Sequence, residues 1–308
     1  MNKLSMLALP SIDQLKQRLG IAEVGLGVIN PAFKAMGLHV DDREGQHVLV
    51  NHHGAVQFNT GVEFPLSVYR GQTKDHGICV PGLGRIKHLE KKLQMLCRNV
   101  AFEDALRAHP YVRYCAAEEF NGLPLHISYQ GLAQHYGFST DMLDVTTNFD
   151  IAAFFATCEF DKKEKRYIPV GESSSPGVIY QVEPAFYIVP RKDLGAEFEF
   201  VGWQPLRRPA QQRAGAFRLP IGQCFSRLPR VRAAYFRHNR DSAERIWRSF
   251  DCGEALFPYD EAAVLSEEAQ DLYLITESQL ARAWANLEAW EKRRFSAKKR
   301  KRLLSFRP

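Results

Sequence analysis

The chain has 308 residues, 45% hydrophobic and 25% charged, with 41 Lys and Arg against 35 Asp and Glu for a formal net charge of +6. That length accommodates one large domain or two small ones with an ordinary core. Composition excludes disordered and collagen-like chains, and no apolar run approaches the roughly 18–20 residues of a membrane-spanning helix. The basic balance permits a polyanionic partner through counterion release.

Residues 1–60 read as an accessory segment with a helix over 11–19, a second over 30–36 and a strand over 47–51. The first ten residues are briefly apolar but have no small-residue cleavage pattern, so no secretion signal is read. The six cysteines are widely spaced, with no C-x-x-C pair and no His at zinc-ligand spacing. They read as the reduced thiols of a cytoplasmic, non-membrane protein without a metal site.

Residues 61–265 form the next expected domain. A strand over 62–69 ends at Arg70-Gly71, and the glycines of the loop 79–84 serve a turn. Helices are expected over 86–97, with Leu89, Leu93 and Leu96 on one face, and over 103–108. A helix over 128–136 is closed by Gly137. A hydroxyl-rich turn follows, from which Thr147 or Asn148 caps the next helix, where Asp150 complements the dipole and Ala152, Ala153 and Ala156 permit close packing. The charged run 161–166 and the Gly/Ser stretch 171–176 are expected to be a solvated, mobile excursion. Strands follow over 177–182, 185–189 and 215–219, then a helix over 242–250 with Ile246 and Phe250 inward. Residues 266–308 are the last segment, a helix over 278–302 that carries Leu280, Trp284, Leu287 and Trp290 and ends in a basic run.

Several residues have chemistry to offer. In Tyr69-Arg70-Gly71 a permanently charged guanidinium can grip a phosphate or ribose with two parallel donors while Gly71 admits a ligand to the backbone; a structural ion pair is the alternative. Thr146 and Thr147 can hold a ligand oxygen, although capping explains one of them. Asp144 reads as an anchor for its turn or for Arg70. His135 is either packed in the core or, with Tyr136, stacked on a base or nicotinamide. Gln211 and Gln212, entering a strand, bind a sugar hydroxyl or bridge backbone; composition leaves both open.

These residues resemble the FRG domain family, named for a Phe/Tyr-Arg-Gly element that Tyr69-Arg70-Gly71 matches. A second block runs through Ala133-Gln134-His135-Tyr136-Gly137, Thr140, Leu143-Asp144, Thr146 and Asn148 to the small and aromatic residues 152–156. Weaker echoes at 211–217 and 255–258 extend the resemblance to residues 62–262. The order of elements is similar to ADP-ribosyltransferases, which implies an α+β fold with a split, mainly antiparallel β-sheet and flanking helices, and NAD as co-substrate. By that resemblance Arg70, with Tyr69 and Gly71, holds the NAD phosphates or nicotinamide ribose. His135, Tyr136 and Asn148 belong to the same pocket, and Thr146 or Thr147 supplies the hydroxyl of the second strand. At the third position a glutamate is replaced by Gln211 or Gln212. A neutral amide cannot offset developing positive charge, so Asp144 is the first candidate acid, followed by Glu118 or Glu119.

The implied activity is mono-ADP-ribosyl transfer to a macromolecule. The basic tail, with Arg227, Arg230 and Arg232 near Phe225 and Tyr235, favours a nucleic-acid acceptor, RNA before DNA. Such an enzyme would be a bacterial toxin or phage-defence protein restrained by an antitoxin protein. The alternatives are a catalytically weak interaction module and an NAD glycohydrolase.

Overall fold

The computed structural model describes residues 8–19, 40–41, 46–51, 53–60, 66–188, 194–271 and 275–295. Helix α1 (Ile12–Arg18) starts at a capping box in which the Ser11 hydroxyl accepts from the Gln14 amide and the Gln14 side chain accepts from the Ser11 amide. Strands β1 (Val40–Asp41), β2 (Gln46–Val50) and β3 (Val56–Thr60) make a small antiparallel sheet. The helix expected over 30–36 lies outside the described residues.

Strand β4 (Val68–Gln72) runs through Arg70 and Gly71 and does not end at them, because residues 68–72 pair along their whole length with a later strand, Gly177–Val182. The two helices expected over 86–97 and 103–108 are one 20-residue helix, α2 (Leu89–Ala108). The intervening residues contain no glycine or proline, and Val100, Ala101 and Phe102 are buried, so nothing interrupts it. Helix α3 (Pro110–Ala117) and the two-residue strands β5 (Glu119–Phe120) and β6 (Leu123–Pro124) follow. Helix α4 (Tyr129–His135) is capped by Ser128 and closed as expected by Gly137, at φ +91°, with the Phe138 amide donating to Ala133 O.

Strand β7 (Met142–Thr146) leads into α5 (Phe149–Thr157), whose cap is Asn148 and not Thr147: the Asn148 side chain accepts from the amides of Asp150 and Ile151. The charged run is solvated, as expected. It is the turn of a hairpin between β8 (Cys158–Asp161) and β9 (Arg166–Pro169), where Asp161 Oδ1 accepts from the amides of Lys163 and Glu164. Strand β10 (Gly177–Val182) comes next, but the strand expected over 185–189 is replaced in its described part by a 3-10 turn started by Pro184, which has no amide for a ladder. The chain continues through β11 (Glu197–Phe200), α6 (Arg207–Gln211), β12 (Ala214–Arg218), β13 (Arg232–Phe236), α7 (Arg240–Ser249) and α8 (Glu261–Gln270). Its last described helices are α9 (Glu277–Ala285) and α10 (Ala289–Arg293). The single helix expected over 278–302 is therefore broken. Asn286 closes α9, Glu288 and Glu291 form a new capping box, and Trp290 is largely exposed. Residues past 295 lie outside the description.

The main sheet has the order β11-β12-β7-β4-β10-β13, antiparallel throughout. β12 and β7 pair over five residues, as do β4 and β10, but β4 and β7 share only Tyr69 with Thr146. The sheet is thus two three-stranded halves joined at one residue pair, and the protein is α+β with a mainly antiparallel sheet flanked by helices. One face buries Val68, Val145, Tyr180 and Phe217. The other is covered by α5, with Phe154 and Ala152 on Tyr69 and Ile179, and by Ile12 and Leu15 of α1. Helices α2, α4, α8 and α9 pack beyond one end of the strands around Phe102 and Leu96. None of the six cysteines forms a disulfide.

Candidate functional site

The split between β4 and β7 is where the expected residues meet. Successive strand residues point to opposite faces, so Tyr69 and Gly71 face α5 while Arg70 faces away from it. Where the next backbone pair would close the ladder, the Arg70 guanidinium enters and donates from Nη1 to Asp144 O at 2.6 Å. An arginine thus substitutes for a strand donor, and its Nε is left buried without a partner.

Asp144 is held from α4: Gln134 Nε2 donates to its Oδ2 at 3.1 Å, and Gln134 Oε1 in turn accepts from the Thr140 hydroxyl. Asp144 Oδ1 is buried and unpartnered, as is the Thr147 hydroxyl. Thr146 Oγ1 accepts from the Asn148 amide at 3.1 Å and is buried. His135 Nδ1 lies 2.9 Å from Gln212 Oε1, while His135 Nε2 is buried and unpartnered. Arg70, Asp144 and Gln134 are therefore in one cluster, with Thr146 and Thr147 at the end of the same strand.

Four expectations are corrected. Gly71 admits no ligand: a Cβ there would stand 1.8 Å from Ala152 O, so the glycine exists to let α5 lie on β4. Tyr69 is core, 6% exposed and edge-on to Phe149. Tyr136 cannot stack on a ligand, because its ring packs on Phe102 under the Arg208 guanidinium and its hydroxyl donates to Asp260; burial and then that carboxylate push its pKa up. Gln212 does not enter a strand. It caps α6, and both ends of its amide are engaged, Oε1 by His135 and Nε2 by Leu256 O at 2.9 Å, while Gln211 is exposed. Glu118 and Glu119 sit exposed at the end of α3 and in β5, Glu118 beside Tyr114.

The structure adds neighbours that sequence spacing did not suggest. Arg85, exposed as a whole residue but with its guanidinium partly desolvated, has its pKa pulled down by that burial and next by the Arg70 charge. Arg85 Nε donates to Val80 O at 3.0 Å, and the Arg70 and Arg85 charges are near enough to act on each other, with the Asp144 charge acting less strongly on Arg85, a surplus of positive charge that favours an anion. The buried Cys79 thiol faces the same cations; burial raises its pKa and Arg70 partly offsets that. From the hairpin, Tyr167 is pushed up to about 12 by burial and then by the Asp144 charge, and its ring stacks on Phe257 at 4.7 Å. Glu199 of β11 is in register with Ala216, which is in register with Asp144. Burial alone would raise its pKa, but hydrogen bonds from His126 and Ser128 and the Arg218 charge bring it below the ordinary value.

Of the residues expected to meet a nucleic acid, the basic run past 295 lies outside the described residues. Phe225 is fully buried, whereas Arg227, Arg230 and Arg232 are exposed, Arg230 over the Phe186 ring and 3.7 Å from Glu183 and Arg232 on the sheet edge strand β13. Tyr235 is exposed, with its hydroxyl donating to Asp75 at 2.8 Å. No helix among the described residues is long and apolar enough to cross a membrane.

A cavity of about 820 Å³ lies away from the split. It lies between the 78–84 loop, α2, α4, the starts of β7 and β11 and the loop after β12, and none of the sequence-predicted site residues lines it. Thr140, on its wall, is nonetheless one hydrogen bond from Gln134 and two from Asp144.

Compared with known proteins, residues 66–165 match the family model described as the FRG domain. The match takes in the Arg70 element and the block from Ala133 to Ala156, but not the echoes at 211–217 and 255–258. No curated protein and no solved structure matches the chain.

Proposed function

We propose, from the premise that this chain carries an FRG domain at residues 66–165, that it is a mono-ADP-ribosyltransferase using NAD in the split between β4 and β7. The observation that carries this is the Arg70 guanidinium at the split, whose buried Nε has no partner, together with the Arg85 charge, which is near enough to act on it. Such a pair fits the two linked phosphates of a dinucleotide better than it fits a core. The unpartnered Thr147 hydroxyl and His135 Nε2 add polar groups suited to ribose and carboxamide atoms.

NAD supplies a ribosyl carbon whose bond to nicotinamide breaks with positive charge developing at that carbon. Arg70 and Arg85 hold the phosphates. Asp144 offers the uncommitted Oδ1 against the developing charge, and the Thr140-Gln134 relay fixes its other oxygen. Gln212 takes no part, since its amide is engaged at both ends. The acceptor is a nucleic acid, RNA before DNA, drawn by the net charge of +6 and by exposed Arg227 and Arg232. An enzyme with that activity acts as a toxin or defence protein and needs a restraining partner.

The test is to incubate the protein with NAD labelled on its adenylate half and total RNA, DNA or cell protein, comparing wild type with Arg70→Ala and Arg85→Ala. Label should pass to RNA in the wild type, disappear in Arg70→Ala and fall about tenfold or more in Arg85→Ala, in line with loss of a charge-assisted bond. Equal transfer by Arg70→Ala sinks the proposal, and free ADP-ribose as the sole product makes the protein a glycohydrolase. One observation favours a binding module instead: the third-position amide serves the fold, and Asp144 is the acid closest to hand. That alternative predicts nucleic-acid binding with no nicotinamide release.

A further inference from the structure

The 820 Å³ cavity has a polar character opposite to that of the split. Its charged wall residues are the acids Glu103, Asp141, Glu197 and Glu288 and the bases Lys92 and Arg218; Glu103 is paired with Arg107 and Arg282, and Asp141 with Arg218. Both bases are already engaged. Lys92 Nζ donates to Glu291 Oε1 at 2.7 Å with both residues buried, and Arg218 donates to Asp141 Oδ2 at 2.8 Å and to Gln130. What is left over is acceptor capacity: Asp141 Oδ1, Asn99 Oδ1 and Gln223 Oε1 are all buried without a partner, and all three residues are on this wall. Buried acceptors without donors are uncommon in folded proteins, and three around one cavity call for a common explanation.

The rest of the wall is apolar, with Val80, Leu83, Leu96 and Leu219 among its residues. Ile78 and Ile221, 62% and 41% exposed, are also lining residues and make the rim apolar as well. The volume is that of a site for a drug-sized molecule. An anion would bring negative charge to a wall whose two cations are taken, and a purely apolar molecule would leave the acceptors unpaired.

We propose that this cavity binds a small amphipathic organic cation, an apolar body carrying an amine or amidinium whose N–H groups donate to Asp141, Asn99 and Gln223. The acceptor atoms are covered in the structure, so their side chains rotate toward the occupant, a change its preference for the rotated state must drive. The site is independent of the reaction proposed for the split.

Calorimetric titration of the full chain with two matched pairs tests it: tryptamine against indole-3-propionate, and benzamidine against benzoate. At least one cation should saturate a single site while its acid counterpart does not. Asp141→Asn should weaken that binding about tenfold, the scale of one charge-assisted hydrogen bond, and Asn99→Leu should weaken it less, with thermal unfolding confirming that each variant is folded. No binding by either cation, equal binding by the acids, or unchanged affinity in both folded variants overturns the proposal.

Discussion

The split at Arg70 and the large cavity are neighbours joined through Thr140 and Gln134, yet they are built on opposite terms. At the split the backbone ladder is interrupted, a guanidinium enters with a second positive charge acting on it, and helix α5 lies so close that β4 has room only for glycine. At the cavity the walls stand apart, the cations are neutralised and acceptors are in surplus. A family motif and a large hollow thus need not coincide: here the motif marks a tightly constrained part of the chain, and the hollow a part where the walls stand apart.

The largest effect should separate two glycines. Gly71→Ala places a methyl against the carbonyl of Ala152, a backbone atom that moves only with the helix, and should cost roughly 3 kcal/mol or more. Gly222→Ala, on the cavity wall, meets nothing within 4 Å and bears only the strain of its φ of +89°, about 1 kcal/mol. Urea unfolding of both variants measures the gap. Similar losses would mean that α5 does not press on β4.

On the cavity side the constraint is electrostatic. Lys92 and Glu291 are 3% and 2% exposed, so Lys92→Met leaves a carboxylate buried without its partner, at a cost of about 3–5 kcal/mol. Adding Glu291→Leu should recover most of that, less about 1 kcal/mol for the cap that Glu291 makes to the Glu288 amide. A double variant as unstable as the single one would show that the pair contributes more than mutual neutralisation.

How far each region was legible in the sequence follows from the range of the forces that build it. The helix that begins at Ser11, and Gly137 after its helix, are local signals that the structure obeys. The split is not local: the motif places Arg70 and Asp144, but only the failure of β4 and β7 to pair beyond one residue puts a guanidinium between them. Gly71 could equally serve a ligand or a helix, because both require the absence of a side chain, and sequence alone cannot say which. The cap at Glu288 was read through because glutamate is not a favoured cap residue, although Glu291 completes the box. Arg85 carries no motif at all; the turn at Leu83–Arg85 brings its charge near enough to act on Arg70.

Gln212 shows the same limit and yields a smaller effect. By resemblance, Gln212→Glu restores the acid of the third strand. In the structure it sets a carboxylate oxygen where Nε2 now donates to Leu256 O, and should cost about 1–3 kcal/mol without raising activity. Thermal unfolding and nicotinamide release read the two consequences separately. Increased release would return Gln212 to the site.

The smallest effect distinguishes the two regions by pH. His238, beyond the split half, donates from Nε2 to Thr73 O at 2.7 Å, and its Nδ1 is buried with nothing to accept a second proton's bond. Burial lowers its pKa from 6.5, more than the Thr73 bond and the Glu159 charge raise it. The folded state therefore binds this proton less readily than the unfolded one. Its contribution is fully present above pH 6.5 and is lost as pH falls through the depressed value, with a slope no steeper than about 1.4 kcal/mol per pH unit. Glu199, tied to Arg218 on the cavity wall, also has a lowered pKa, so its contribution holds above 4.5 and fades only in stronger acid. Stability measured between pH 7.5 and 5 should thus decline in the wild type and decline less in His238→Asn. If His238→Asn declines as steeply as the wild type, the early loss belongs to another group, and the two regions do not differ in their response to acid.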